Sequence, residues 1–141
     1  MYEDIPLLSD EDRTIYKEWR FAPARRALGL VFISGVVVSR NNGPFSEATR
    51  VAFERLRTRL ASYGLGFEDV VLINTFHDWS APEFAGDRWA QFDAFNSVKD
   101  EFVGEPYPAW TAVGTSGLIR HEGIVEIQMI AADRSTSHRD T

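Results

Sequence analysis

The chain has 141 residues, a mass of 16.0 kDa, a formal net charge of −6 and a pI near 5.0. That fits one domain and argues against nucleic acid as the natural partner. It has no cysteine, which excludes disulfides, thiolate zinc sites and cysteine nucleophiles together. The longest apolar run, Leu28 to Val38, is broken by Gly29, Ser34 and Gly35 and is far short of the roughly 20 residues of a membrane span. With no signal peptide, the cytoplasm is the expected compartment.

Met1 to Leu8 reads as irregular. Ser9 then precedes Asp10, Glu11 and Asp12, acids suited to the first turn of a short helix running toward Arg20. Phe21 to Ala27 and Leu28 to Val38 read as two strands, the second rich in Val, Ile and Phe. Arg40 to Pro44 is a turn by composition. Ser46 is placed to cap a long helix reaching about Tyr63. Its apolar positions Ala48, Val51, Ala52, Leu56 and Leu60 follow helical spacing, with Arg50, Arg55, Arg57 and Arg59 pointing elsewhere. Gly64 and Gly66 end it.

Asp69 to Phe76 is a third strand, apolar on both faces. A loop from Ser80 to Gly86 leads to a second helix, Asp87 to Phe102, with Trp89, Phe92, Phe95, Val98 and Phe102 on one stripe, read as core. Pro106 and Pro108 force an extended approach to a strand through Trp110 to Val113. A hairpin turn near Arg120 to Gly123 is expected to return the chain into a closing strand, Ile124 to Ala131. Ser135 to Thr141 is polar and expected to fray.

The order is β-β-α-β-α-β-β behind a short helix: an α+β fold with one mixed sheet and two helices on one face. The strands are apolar on both faces, so the second face needs a cover. A second copy of the chain is the economical one, which predicts an oligomer before any family is considered.

Five segments in order, Phe21-Ala22-Pro23-Ala24-Arg25-Arg26, Leu30 to Gly35, Asp69 to Phe76, Phe95-Asn96 and Ile124 to Ala131, carry a resemblance. They resemble the RidA/YjgF family, small trimeric proteins that hydrolyse reactive enamines and imines. The likeness spans about Phe21 to Ala132. This divides the chain into an N-terminal extension (1–20), a RidA/YjgF-like domain (21–132) and a polar tail (133–141). The resemblance implies a chorismate-mutase-like homotrimer with small-molecule clefts between subunits. Carried over by position, it places Phe21, Ser34, Asn96, Trp110 and Glu126 in those clefts, with Glu126 positioning the attacking water. The family's Pro-Ala-Arg triplet, whose arginine holds the substrate carboxylate, is here Pro108-Ala109-Trp110. A tyrosine hydroxyl is likewise missing at Phe21.

Each candidate has a plainer alternative. Glu126 alternates with Val125 and Ile127 and faces away from them; a structural salt bridge would also account for it. Trp110 fits packing that partly fills the former substrate site. Ser34 serves either a ligand or its own backbone. Asn96 fits a bridge at a subunit contact. Arg120, ten residues past Trp110, reads as a solvated turn residue, and one of Arg25 and Arg26 could reach a cleft. His77, His121 and His138 lack ligand spacing, so no metal or other cofactor is expected.

Three functions follow. The first is a trimer that binds a small metabolite without the usual 2-imino acid deaminase activity. The second is a deaminase for a larger or less anionic imine, with Glu126 catalytic. A ribonuclease or chaperone comes last.

Overall fold

The computed structural model describes residues 4–133, so the tail beyond Asp133 lies outside them. Helix α1 (Asp10–Thr14) starts at Ser9, whose hydroxyl accepts from the Asp12 amide. It widens into a π-helical turn, Ile15–Trp19, that stops at Arg20 in the left-handed conformation. Strands β1 (Ala24–Ala27) and β2 (Leu30–Ser39) follow, then α2 (Phe45–Ala61), β3 (Val70–His77), α3 (Arg88–Phe102), β4 (Ala109–Gly114) and β5 (Gly123–Ala132).

The five strands form one mixed sheet in the order β1-β2-β5-β3-β4. Both helices pack on one face. Their buried residues Ala48, Phe53, Leu56, Leu60, Phe95 and Val98 join Val31, Ile33, Ile73, Ile127 and Met129 of the sheet in a single core. The opposite face carries Phe32, Leu72, Phe76, Val113 and Ile130. There Phe32 is 39% and Val113 42% exposed, so this apolar face has no cover among the described residues.

Several local expectations give way. No hairpin joins β4 and β5: β4 pairs with β3 in parallel at the sheet edge, and β5 slots antiparallel between β2 and β3. The proline-bearing approach fits an edge strand, where a missing amide is tolerated. Pro44, not Ser46, stands at the N-cap of α2, its ring setting the turn into the helix. Leu28 is no strand residue. It and Gly29 have positive φ and form a two-residue turn closing Ala27 onto Leu30. Trp89 is 69% exposed and outside the core, while Gln91 and Lys99 of α3 are buried. Val51 is exposed, and Arg59 is drawn inside by Asp12, its Nη2 donating to Oδ1 at 3.2 Å.

Candidate functional site

Strand β1 covers only the first part of β2, pairing along Leu30 to Ile33. From Ser34 onward the edge of β2 is free of a strand partner, and the segment from Glu11 to Pro23 faces it across a cavity of about 570 Å³. Three residues singled out from sequence line this cavity together: Phe21, Ser34 and Glu126.

A β-bulge shapes the site. Ile33 pairs with Met129 and Val36 with Ile127, so Ser34 and Gly35 share the stretch opposite Gln128. Such a bulge bends the strand and re-aims its side chains. Glu126 sits across from Val37, and its carboxylate folds over Gly35. A Cβ built at Gly35 would lie 2.0 Å from Glu126 Oε2. Glycine is thus required for the carboxylate to occupy this seat.

The Glu126 carboxylate forms no hydrogen bond or ion pair among the described residues, and burial pushes its pKa above the usual 4.5. Ionising it therefore costs the fold stability. The sign follows from proton binding: the folded state holds the proton more tightly, so the cost is absent below 4.5 and complete once pH exceeds the raised folded value. A carboxyl poised this way can accept a proton from a bound water or substrate. Ser34 donates its hydroxyl to Ala22 O at 2.6 Å and its amide to Pro23 O at 2.9 Å. Its proton is committed to the backbone, and its oxygen can still accept. Phe21, 44% exposed, offers an apolar wall.

Trp110 and Asn96 are elsewhere. Trp110 is opposite Ile73 in the register, which turns its ring to the helix-covered face. There it stacks on Phe92 at 4.9 Å, lies 4.7 Å under the Lys99 ammonium and donates from Nε1 to Thr75 Oγ1 at 2.9 Å. Asn96 is exposed on α3. Neither borders the Glu126 cavity within one chain. Arg25 and Arg26 do not border it either, being paired with Asp4 and Asp133. Arg120 does border it, from a half-exposed position in the turn where it was expected.

The sequence reading missed a buried polar relay beneath Trp110. His77 is fully buried, with Nε2 2.8 Å from Thr75 Oγ1 and Nδ1 2.9 Å from Gln91 Oε1, and Gln91 Nε2 donates to Asp78 O. Gln91 presents an acceptor, so Nδ1 carries the proton and Nε2 accepts from the threonine hydroxyl. The imidazole is neutral, in line with burial holding its pKa below 6.5. The alternation of Thr75 and His77 on one strand face was visible in sequence; their partner on α3 was not. Among the described residues, no group of three or more His, Asp or Glu could hold a metal ion.

The family model described as Endoribonuclease L-PSP matches residues 13–133. The RutC family protein YjgH of Escherichia coli is 37% identical over 123 residues, 84% of this chain and 86% of that protein. The 3-aminoacrylate deaminase RutC of Acinetobacter baylyi is 28% identical over 117 residues, 79% of this chain and 85% of the relative. Among solved structures, RidA from an Antarctic Psychrobacter superposes with a TM-score of 0.67 at 25% identity, covering 79% of this chain and 87% of that one.

Proposed function

The chain belongs to the RidA/YjgF family, and from that premise we propose that it is a homotrimer binding a small metabolite in the cavity around Glu126, without turning over the small 2-imino acids. The observation that carries this is that Trp110, at the position of the family's arginine, lies on the helix-covered face and outside the Glu126 cavity of its own chain. Its indole is engaged by Phe92, Thr75 and Lys99 and supplies no positive charge. A guanidinium holds a carboxylate by two parallel charged bonds, each worth about 1.5–3 kcal/mol. Losing them removes roughly one to two decades of binding per bond.

The trimer is supported by the uncovered apolar face with Phe32 and Val113, and by the separation of the candidate residues. Asn96 is outside the cavity that holds Glu126, so only a neighbouring copy could bring the two together. The division into an N-terminal extension, a central domain and a tail is part of the same reading. The extension has a specific use in it, since Glu11, Ile15 and Trp19 wall the cavity. No helix among the described residues is long and apolar enough to cross a membrane.

A second reading is favoured by the unpaired, burial-shifted carboxylate of Glu126 in a cavity of about 570 Å³: hydrolysis of a larger imine or enamine. One preparation tests both. Light scattering should give about three times 16.0 kDa, and a micromolar monomer would remove the trimer. A coupled assay that generates the imine of alanine or serine in situ should show no turnover above background. Robust turnover that disappears in Glu126→Gln would replace the binding reading with the hydrolytic one.

A further inference from the structure

The Glu126 cavity contains one carboxylate, Glu126 itself, without a partner among the described residues, and needs a compensating feature if an anionic ligand is to enter it. Three arginines border it. Arg59 is nine-tenths buried and tied to Asp12 through Nη2, and its Nε and Nη1, without hydrogen-bond partners among the described residues, are closed off from solvent. Arg55 faces Glu11 with 3.5 Å between Nη2 and Oε2.

Arg120 differs from both. Its side chain is half exposed. The facing carboxylate oxygen, Glu122 Oε1, is 3.7 Å from Nη1, an ion pair too long for a hydrogen bond. Glu122 is itself shared with His121, whose Nδ1 lies 3.8 Å from Oε2. The Arg120 guanidinium carbon lies 6.0 Å from the centroid of the Trp19 ring. Contact with an aromatic face orients a guanidinium while leaving its edge donors free. The backbone is fixed too, because the Gly123 amide donates to Arg120 O at 3.0 Å. Arg120 is thus an oriented cation whose donors remain available to a ligand.

We propose that Arg120 anchors the carboxylate of the ligand in this cavity, and that the ligand is a carboxylate bearing a bulky apolar group. The anion belongs at the arginine end because an ionised Glu126 repels it. The bulky group follows from the walls: Ile15, Trp19, Phe21 and Ile119 are apolar, and about 570 Å³ far exceeds a three-carbon acid. The proposal rests on reading this cavity as the ligand site, and its test separates the two.

Calorimetry with phenylacetate and its neutral analogue phenylacetamide serves as the probe, on the full chain. Wild type should bind the acid at least tenfold tighter than the amide, since charge-assisted bidentate contacts carry that much. Arg120→Gln should erase the preference, Arg120→Lys should keep part of it, and Glu126→Gln should leave it intact or enlarge it. Arg120 is half exposed and donates no hydrogen bond among the described residues, so these variants should fold as wild type does. An acid preference that persists in Arg120→Gln overturns the proposal. Equal binding of acid and amide by wild type also overturns it while leaving the cavity as a ligand site. Binding of neither probe overturns both.

Discussion

Replacing Trp110 by arginine should destabilise the protein by about 2–4 kcal/mol. The half-buried indole stacks on Phe92 with the planes 9° apart, and its Nε1 donates to Thr75 Oγ1. Truncating a fully buried tryptophan costs about 3–5 kcal/mol, and partial exposure lowers the figure. An aromatic pair adds about 0.5–1.5 kcal/mol beyond its area. The substitution also sets a guanidinium beside Lys99, whose ammonium lies 4.7 Å from the ring centroid and whose pKa burial already lowers. Two adjacent cations in a partly desolvated site repel. The family resemblance alone suggests that arginine here would restore deaminase chemistry; the helix-side packing suggests that it would first disrupt the contact between α3 and β4. Urea denaturation of the single variant is sufficient. A change within about 0.5 kcal/mol would mean that the ring does not occupy this stack.

The second large effect is expected at Gly35. In Gly35→Ala the new methyl would occupy the position of Glu126 Oε2, 2.0 Å away, so the carboxylate must leave its seat. The obstacle is the end of a flexible side chain, so folding should change by less than about 1 kcal/mol, helped by the smaller unfolded-state entropy of alanine. The chemistry should change far more. Swung toward solvent, Glu126 should titrate closer to 4.5, because burial is the cause of its upward shift. Any imine turnover should fall to the level of Glu126→Gln, and the double variant Gly35→Ala with Glu126→Gln should be no worse than either alone. Carbon-13 titration of the Glu126 carboxyl gives the direct readout. An unchanged titration in Gly35→Ala would place the carboxylate elsewhere.

Much of this was legible in the chain itself. The apolar runs of β2, β3 and β5 and the helical spacing around Leu56 and Phe95 announce their elements, because burial imposes periodicity on sequence. The uncovered face follows from counting two helices against strands apolar on both sides. Strand order was not legible. Whether β5 returns beside β4 or passes to the far side of β3 depends on nonlocal pairing, and Arg120 to Gly123 reads as a turn in either case. The face of Trp110 hangs on that order, since pairing opposite Ile73 in the parallel register of β3 turns the ring to the helices, and a shift of one residue would reverse it. The burial of Arg59 was hidden for a related reason: its partner Asp12 lies 47 residues away in a segment that looked peripheral. Gly35 stood out as an interruption of an apolar run, but its meaning required the register that brings Glu126 over it.

The central claim is that the ligand enters the cavity at the free edge of β2, beside Glu126, and that Trp110 belongs to the packing of α3. Amide and indole chemical-shift mapping during a phenylacetate titration tests it most directly. The account predicts saturable shifts at the amides of Ser34, Gly35 and Glu126 and at the Trp19 indole, with the Trp110 indole unmoved. Saturable shifts centred on the Trp110 indole and the Phe92 amide, with Gly35 and Glu126 silent, would contradict it.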